Sequence, residues 1–218
     1  MRGCVLRTAA FMILTTVAAS ADVSGLGYFP LRVGNWWAYE EVDAHGTRVS
    51  RETWTLVPGG AAEGVGEFHL RSYTKRLDPL RGRGNRFEGH EYLHASPAGL
   101  RKRYPQGRDA ALEVTLLKEP LEAGARWHDA QGDCELVSHG GPCEGPKGGL
   151  ADCAVVVCSL GSPPTTVVTS IYGRGVGMVR QDLDVVQLIP AGAAGMTCDN
   201  ARNGHSVLRL TTYHVGPP

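Results

Sequence analysis

Glycine and proline interrupt this sequence so often that long helices are excluded over most of its length. They account for 42 of the 218 residues, or 19 %, against an average near 12 %. Clusters such as Pro58-Gly59-Gly60 and Ser96-Pro97-Ala98-Gly99 have the composition of turns. Hardly any window of eleven residues keeps a helical period without one of the two residues. The chain must therefore fold as short elements joined by tight turns.

The segments between the turns have the composition of β-strands. In residues 207–213, for example, Leu208 and Leu210 alternate with Arg209 and Thr211, a period of two that is typical of a half-buried strand. Further runs rich in aromatic and β-branched residues are Trp36–Val42, Arg51–Val57, Gly66–Tyr73, Ala111–Leu117, Ala151–Leu160, Thr165–Tyr172 and Gly177–Ile189. We predict an all-β fold with little helix, an antiparallel half-barrel or sandwich.

One short pattern occurs twice, 90 residues apart. The matched positions are Pro30, Leu31, Gly34 and Trp37 in the first copy, and Pro120, Leu121, Gly124 and Trp127 in the second. Proline and glycine favour a bend, and the tryptophan would then begin a strand and fill the core. We predict that the sheet is built from two related halves, each opened by this pattern.

The first 21 residues have the pattern of a secretory signal peptide. Arg2 and Arg7 precede an uncharged apolar run over 9–19, and the segment 19–21 (Ala-Ser-Ala) fits the site read by signal peptidase. Eleven residues of helix rise only about 16 Å, too little for a bilayer core of roughly 30 Å. We therefore predict cleavage before Asp22.

The rest of the chain, 22–218, predicts a single β-rich domain located in the periplasm or secreted. It contains no second long apolar stretch, so we expect no transmembrane segment after cleavage. Cys4 precedes the apolar run instead of following it, so no lipid anchor is expected. This part carries 20 basic and 22 acidic side chains, a balance that lacks the basic face needed for nucleic acid. No cofactor is expected.

Five cysteines follow the leader in a compartment that permits disulfides: Cys134, Cys143, Cys153, Cys158 and Cys198. Cys153 and Cys158 bound a β-branched run, and five strand steps separate them by roughly 16 Å, more than a bridge can span. We predict that these two have different partners. A hairpin closing through residues 138–149 favours the pair Cys134–Cys153. An odd number leaves one thiol without a partner in the same chain.

Three segments together resemble a broad group of bacterial secreted proteins and lipoproteins, some of them TapB-like proteins associated with type IV pili. The segment 28–39 is similar to the group's Y-x-P-L-x-V-G-N-x-W-x-Y opening, and 148–157 to its G-x-[FL]-x-[DN]-C-x-x-V strand. The segment 171–180, with Tyr172, Gly175 and Gly177, is similar to its Y-x-x-G-V-G-x-V-[KR] strand. The resemblance implies a β-rich half-barrel or sandwich and no catalytic residues. This chain departs from the group in having no lipobox and in four of its cysteines, Cys134, Cys143, Cys158 and Cys198.

The segment His90-Glu91-Tyr92-Leu93-His94 matches the H-E-x-x-H motif of zinc hydrolases. On a helix, His90 and His94 would share a zinc ion with Glu91 as the base, and Glu113 could be a third ligand. Gly89 and the 96–99 turn leave too short a segment for such a helix. We predict instead a hairpin with strands over 87–95 and 100–104, in which the two imidazoles lie about 13 Å apart, too far for one ion.

Other clusters have structural interpretations that we prefer. The glycines of 173–177 are more typical of a bend or bulge than of a phosphate loop. The basic residues Lys75, Arg76, Arg81, Arg83, Arg86, Arg101, Lys102 and Arg103 are interrupted by acids and are typical of a solvated loop. The aromatic residues Trp36, Trp37, Tyr39, Trp54 and Trp127 could line a ligand pocket, but such residues more often form the core.

Three functional hypotheses remain. The first is an exported, non-catalytic β-protein that binds an amphiphile or a partner protein, as in the assembly of a surface appendage. The second is a secreted zinc hydrolase that uses the residues of the H-E-x-x-H segment. The third is a purely structural or adhesion module. An apolar cavity inside the fold would favour the first hypothesis, and a solid core the third.

Overall fold

The computed structural model describes residues 27–58, 67–77, 85–105, 112–161, 166–185 and 204–216. The predicted signal peptide and Cys198 lie outside these residues. Within them, only residues 27 and 28 are helical.

Twelve strands occupy most of the described chain. Their bounds are β1 Trp36–Asp43, β2 Arg48–Val57, β3 Glu67–Arg76, β4 Arg86–Ser96, β5 Gly99–Tyr104, β6 Leu112–Lys118, β7 Arg126–Asp129, β8 Gly132–Gly145, β9 Gly148–Leu160, β10 Thr166–Gly173, β11 Gly177–Val185 and β12 Gly204–His214.

All twelve strands belong to one antiparallel sheet with the order β6-β5-β4-β3-β2-β1-β12-β11-β10-β9-β8-β7. Each half is a six-stranded meander, β1–β6 or β7–β12, and the first and last strands of the chain join the halves by pairing along 36–43 and 206–214. The all-β prediction and its two-half organisation are confirmed. A single continuous sheet, curled on itself, replaces the sandwich alternative.

The sheet curls into a nearly closed barrel whose free edges are β6 and β7. Side chains connect these edges: the Thr115 amide donates to Asp129 Oδ2 at 2.6 Å, and Lys118 Nζ donates to the Arg126 carbonyl at 3.0 Å. Among the described residues, no backbone-to-backbone hydrogen bond joins β6 to β7. We call this line of contact the seam.

The apolar core fills the inside of the barrel. Alternate residues along each strand point inward, and both halves contribute fully or almost fully buried side chains. The first half supplies Trp37, Tyr39, Leu56, Leu70, Leu93, Leu100 and Leu117, and the second supplies Leu136, Ala154, Val156, Tyr172 and Met178.

The two copies of the repeated pattern precede β1 and β7, the first strand of each meander, and make the same hydrogen bonds. The Gly34 amide donates to the Leu56 carbonyl at 2.8 Å, and the Gly124 amide to the Leu136 carbonyl at 2.7 Å. Both glycines have positive φ, 93° and 85°, a conformation that other residues adopt only with strain. The repeat is therefore a shared strand-entry turn in this structure.

The β8–β9 hairpin carries two disulfides, Cys134–Cys158 and Cys143–Cys153. Cys153 and Cys158 thus have different partners, as predicted, but the favoured pair Cys134–Cys153 is wrong. The glycine-rich stretch that we expected to be a loop is strand, so that the hairpin turns at residues 146–147. This extension sets Cys134 opposite Cys158 and brings Cys143 near Cys153.

Candidate functional site

The barrel encloses a cavity of about 80 Å³, measured as the space open to the centre of a water-sized sphere. That is room for roughly five to eight water molecules, or for one small organic molecule. Both halves of the sheet contribute to its wall. The apolar wall consists of Phe29, Trp54, Leu70, Leu93, Leu116, Val156, Cys158 and Met178, and the polar lining of Lys102, Tyr104, Thr115, Gln131, Ser170, Tyr172 and Gln181.

Lys102 is the charged member of this lining, and it is buried. It lies on β5 between Leu100 and Tyr104, and the alternation of the strand turns all three side chains inward. Its Nζ lies 2.5 Å from a carboxylate oxygen of Glu91 on β4. The same ammonium lies 4.7 Å from the ring centroid of Trp54 and 4.9 Å from that of Tyr104. Burial lowers the pKa of Lys102, but Glu91 and Tyr104 outweigh it and leave that pKa raised, so the lysine is a cation at neutral pH.

A second carboxylate, Glu52, lies beside this pair on the inner face of β2. The indole Nε1 of Trp54 donates to Glu52 Oε1 at 2.6 Å. Burial raises the pKa of Glu52, against the lowering effects of that hydrogen bond and of the Lys102 charge. Two acidic side chains, Glu91 and Glu52, thus lie near the cation Lys102.

Neutral polar groups occupy another part of the lining. Gln181 Nε2 donates to Ser170 Oγ at 3.1 Å across the β10–β11 ladder. Burial raises the pKa of Tyr172, so its phenol stays protonated. Thr115 and Gln131 lie at the seam, because Asp129 accepts hydrogen bonds from the amides of both residues at 2.6 and 2.8 Å. The cavity therefore comes closest to an unpaired sheet edge at the seam.

Residues 27–29 close one end of the barrel and supply Phe29 to the cavity wall. Tyr28 and Phe29 are fully buried, and Phe29 packs on Trp37 with ring centroids 4.9 Å apart. The Tyr28 hydroxyl donates to Asp152, and Arg174 Nε donates to the same carboxylate at 2.5 Å. Each of the three segments that carry the family resemblance supplies one of these residues, Tyr28, Asp152 or Arg174, to this end of the barrel. Their contacts at this end are hydrogen bonds and ring packing.

The H-E-x-x-H segment lies on β4, a strand, as the hairpin interpretation predicted. Strand alternation places His90 and His94 on the outer face and Glu91 on the inner face. His90 Nδ1 instead lies 3.1 Å from Nε2 of His69 on the neighbouring strand. Among the described residues, no cluster of three or more His, Cys, Asp or Glu side chains could hold a metal ion. The arrangement of the zinc-hydrolase hypothesis is therefore not assembled by this fold.

Glu113, the third ligand of that hypothesis, lies on β6 and pairs with Arg101 at 3.0 Å. Arg101 belongs to the basic cluster that we assigned to a solvated loop. The structure corrects that assignment for six of the eight residues, which lie on strands: Lys75 and Arg76 on β3, Arg86 on β4, and residues 101–103 on β5. The other two, Arg81 and Arg83, lie outside the described residues. Lys102 is the functional candidate that the sequence analysis missed. The signal that could have found it is the inward position of Lys102 in the predicted strand, in phase with Leu100.

The aromatic residues for which we preferred a core role over a ligand pocket are divided between the two by the fold. Trp54 lines the cavity, whereas Trp37 and Tyr39 are buried in the core. Trp127 packs against the core from β7. At the β10–β11 turn, Gly175 and Gly177 have positive φ, and Tyr172 lies next to a bulge, so that this segment forms a bend.

Comparison with known proteins gives no family for this chain: no protein-family model matches it, and no curated protein matches it significantly. Two crystal structures match this chain over 86 % of its length and 98 % of theirs. One is a protein from Bacteroides fragilis, named provisionally as exported and described as having a YmcC-like fold, with 11 % identity and a TM-score of 0.48. The other is named provisionally as a lipoprotein, from Parabacteroides distasonis, with 14 % identity and a TM-score of 0.42. Neither TM-score reaches 0.5, so neither likeness carries a function to this chain.

In the described part of the chain, no helix has the length and apolar character needed to span a membrane.

Proposed function

We propose that this is an exported, non-catalytic protein of the cell envelope or exterior that binds one small amphiphile inside its barrel. The cavity carries the proposal. A purely structural module gains nothing from an internal void, because unfilled space forfeits packing energy. The mixture of aromatic and aliphatic walls with a few polar groups is the composition of a small-molecule site.

The size of the cavity sets the size of the ligand. With about 80 Å³ open to the centre of a water-sized sphere, the barrel accepts a molecule of at most roughly five to eight non-hydrogen atoms. A two-chain phospholipid does not fit without opening the sheet. The proposed ligand is therefore a short amphiphile, with its apolar part against Trp54, Leu93 and Met178 and its polar end at the neutral polar groups.

Export is supported by the leader pattern of residues 1–21 and by the two disulfides. Disulfides persist in the periplasm and outside the cell and are rare in reducing compartments. The proposed location is the periplasm or the exterior. Membership of the TapB-like group, and with it a protein partner in appendage assembly, is a separate proposal that depends on the three resembling segments alone.

Fluorescence quenching tests the binding proposal. Bromine quenches tryptophan on contact, and Trp54 lines the cavity, so 3-bromopropan-1-ol should quench the protein saturably with one molecule bound, as counted by native mass spectrometry. Trp54→Phe should remove the saturable quenching. Trp36→Phe, a change outside the cavity lining, should keep it. If neither 3-bromopropan-1-ol nor its carboxylate and ammonium counterparts bind, the barrel is not a ligand site of this kind.

A further inference from the structure

From the charges around the cavity, we infer that the ligand has an uncharged polar head and that Glu91 is the residue that excludes anionic ligands. This inference names the ligand class and depends on the proposed function. Its basis is the position of Glu91 relative to Lys102, the cation that a carboxylate or phosphate head group would otherwise bind.

Lys102 is already satisfied by the protein. Its ammonium has Glu91 at 2.5 Å and two aromatic rings within 5 Å of its Nζ. A ligand carboxylate would have to share the cation with Glu91 at a site from which water is largely excluded, and two carboxylates on one lysine leave an uncompensated buried charge. Such a charge is among the most costly groups to bury.

Glu52 also opposes the binding of an anionic ligand. It lies on the inner face beside Trp54, and the acidic groups Glu41 and Glu91 raise its pKa further, in addition to burial. This part of the barrel therefore already holds more acidic than basic groups and opposes a further negative charge.

A cationic head is also disfavoured, although less strongly. The aromatic faces of Trp54 and Tyr104, which would attract a cation, are already occupied by the Lys102 ammonium. The groups left for a ligand are neutral: the amides of Gln131 and Gln181 and the hydroxyls of Ser170 and Thr115. Alcohols, amides and esters can hydrogen-bond to these groups without burying a charge.

Three ligands of one chain length test the inference on the wild-type protein: 3-bromopropan-1-ol, 3-bromopropanoate and 3-bromopropylammonium, titrated at pH 7.5 with Trp54 quenching as the signal. We expect the alcohol to bind at least about tenfold more tightly than either ion. Equal or tighter binding of the carboxylate or the ammonium would overturn the inference and leave the proposed function standing. Failure of all three to bind would overturn both.

Neutralising the Glu91 charge tests whether this residue is the one that excludes anionic ligands. Glu91→Gln leaves Lys102 without its carboxylate, so binding of 3-bromopropanoate should tighten at least about fivefold, while binding of the alcohol changes little. In the matched control Glu91→Gln/Lys102→Met, both charges are absent, and the gain for the carboxylate should disappear. If Glu91→Gln is folded by circular dichroism but binds the carboxylate no better than the wild type, Glu91 is not the excluding residue. If it does not fold, the wild-type comparison of the three ligands decides the ligand class alone.

Discussion

The indole Nε1 of Trp37 donates a hydrogen bond of 2.5 Å to the carbonyl oxygen of Val176, which lies 139 residues further along the chain. This bond joins the first meander to the second inside the core. Gly177 permits it, because a Cβ at that position would lie 2.8 Å from the same indole nitrogen. The bond thus depends on one residue from each half of the fold.

Removal of this bond should destabilise the whole barrel. Trp37→Phe leaves the Val176 carbonyl unsatisfied and opens space in the core, which should cost about 3 kcal/mol of unfolding free energy. Trp36→Phe, at the partly exposed neighbouring position, should cost less than about 1 kcal/mol. Urea denaturation of the three proteins measures both values. Equal losses for the two variants would contradict the cross-barrel role of Trp37.

The two strand-entry turns should respond alike to substitution. Gly34→Ala and Gly124→Ala each force a residue with a Cβ into positive φ without a steric clash, so each should cost about 1–2 kcal/mol. Gly141 is the control, because it has free space and no positive φ. Gly141→Ala should therefore change the urea midpoint little. A large difference between Gly34→Ala and Gly124→Ala would argue against equivalent turns.

The disulfides should stabilise the protein in proportion to the loops that they close. The sequence separations are 24 residues for Cys134–Cys158 and 10 for Cys143–Cys153. Loop-closure entropy then gives about 3.4 and about 2.7 kcal/mol at 25 °C. Paired Cys→Ser variants, compared by urea denaturation, should rank in that order. Mass spectrometry of non-reduced thermolysin peptides, cut between Cys134 and Cys143 and between Cys153 and Cys158, should detect both bridges, and a Cys134–Cys153 peptide would contradict this connectivity.

Acid should weaken the closed end of the barrel through Asp152. The hydrogen bond from Tyr28 and the neighbouring Arg174 hold the pKa of this carboxyl below its usual value. The stabilisation is therefore present above about pH 4 and is lost as the pH falls through the folded-state pKa. Because Asp152 is partly exposed, we expect only roughly 1 kcal/mol. Asp152→Asn should reduce stability at pH 7 and match the wild type near pH 2; a constant difference across this range would contradict the linkage.

The seam should open more readily than the rest of the sheet. Asp129→Ala removes the acceptor of the Thr115 amide, so exchange of that amide with deuterium should accelerate at least about tenfold. The Thr169 amide, on a strand paired on both sides, should be nearly unaffected. NMR-detected hydrogen exchange gives both rates. Unchanged exchange at Thr115 would show that the seam is held by contacts other than Asp129.

Local chemistry in the sequence was enough to predict most strands. The hairpin over 87–104 could be predicted because its turn residues and its alternation are encoded within eighteen consecutive positions, and that signal also argued against a zinc helix. The segment 132–145 was harder, because it contains glycines and Pro142 and three irregularities in its pairing with β9. Its glycine-rich composition indicated a loop, but pairing with the strongly β-branched β9 keeps it extended.

The sequence by itself therefore determined the all-β class, the repeated strand-entry turns and the separate partners of Cys153 and Cys158. Each of these depends on backbone preferences or on distances along one strand. Only the tertiary structure decided the disulfide pairs, the cavity and the Glu91–Lys102 pair. These depend on the register between strands and on the closure of a twelve-stranded sheet, which brings β4, β5 and β10 around one interior. The local sequence sets the inward orientation of the Lys102 side chain. The residues that surround this side chain come from other strands of the barrel.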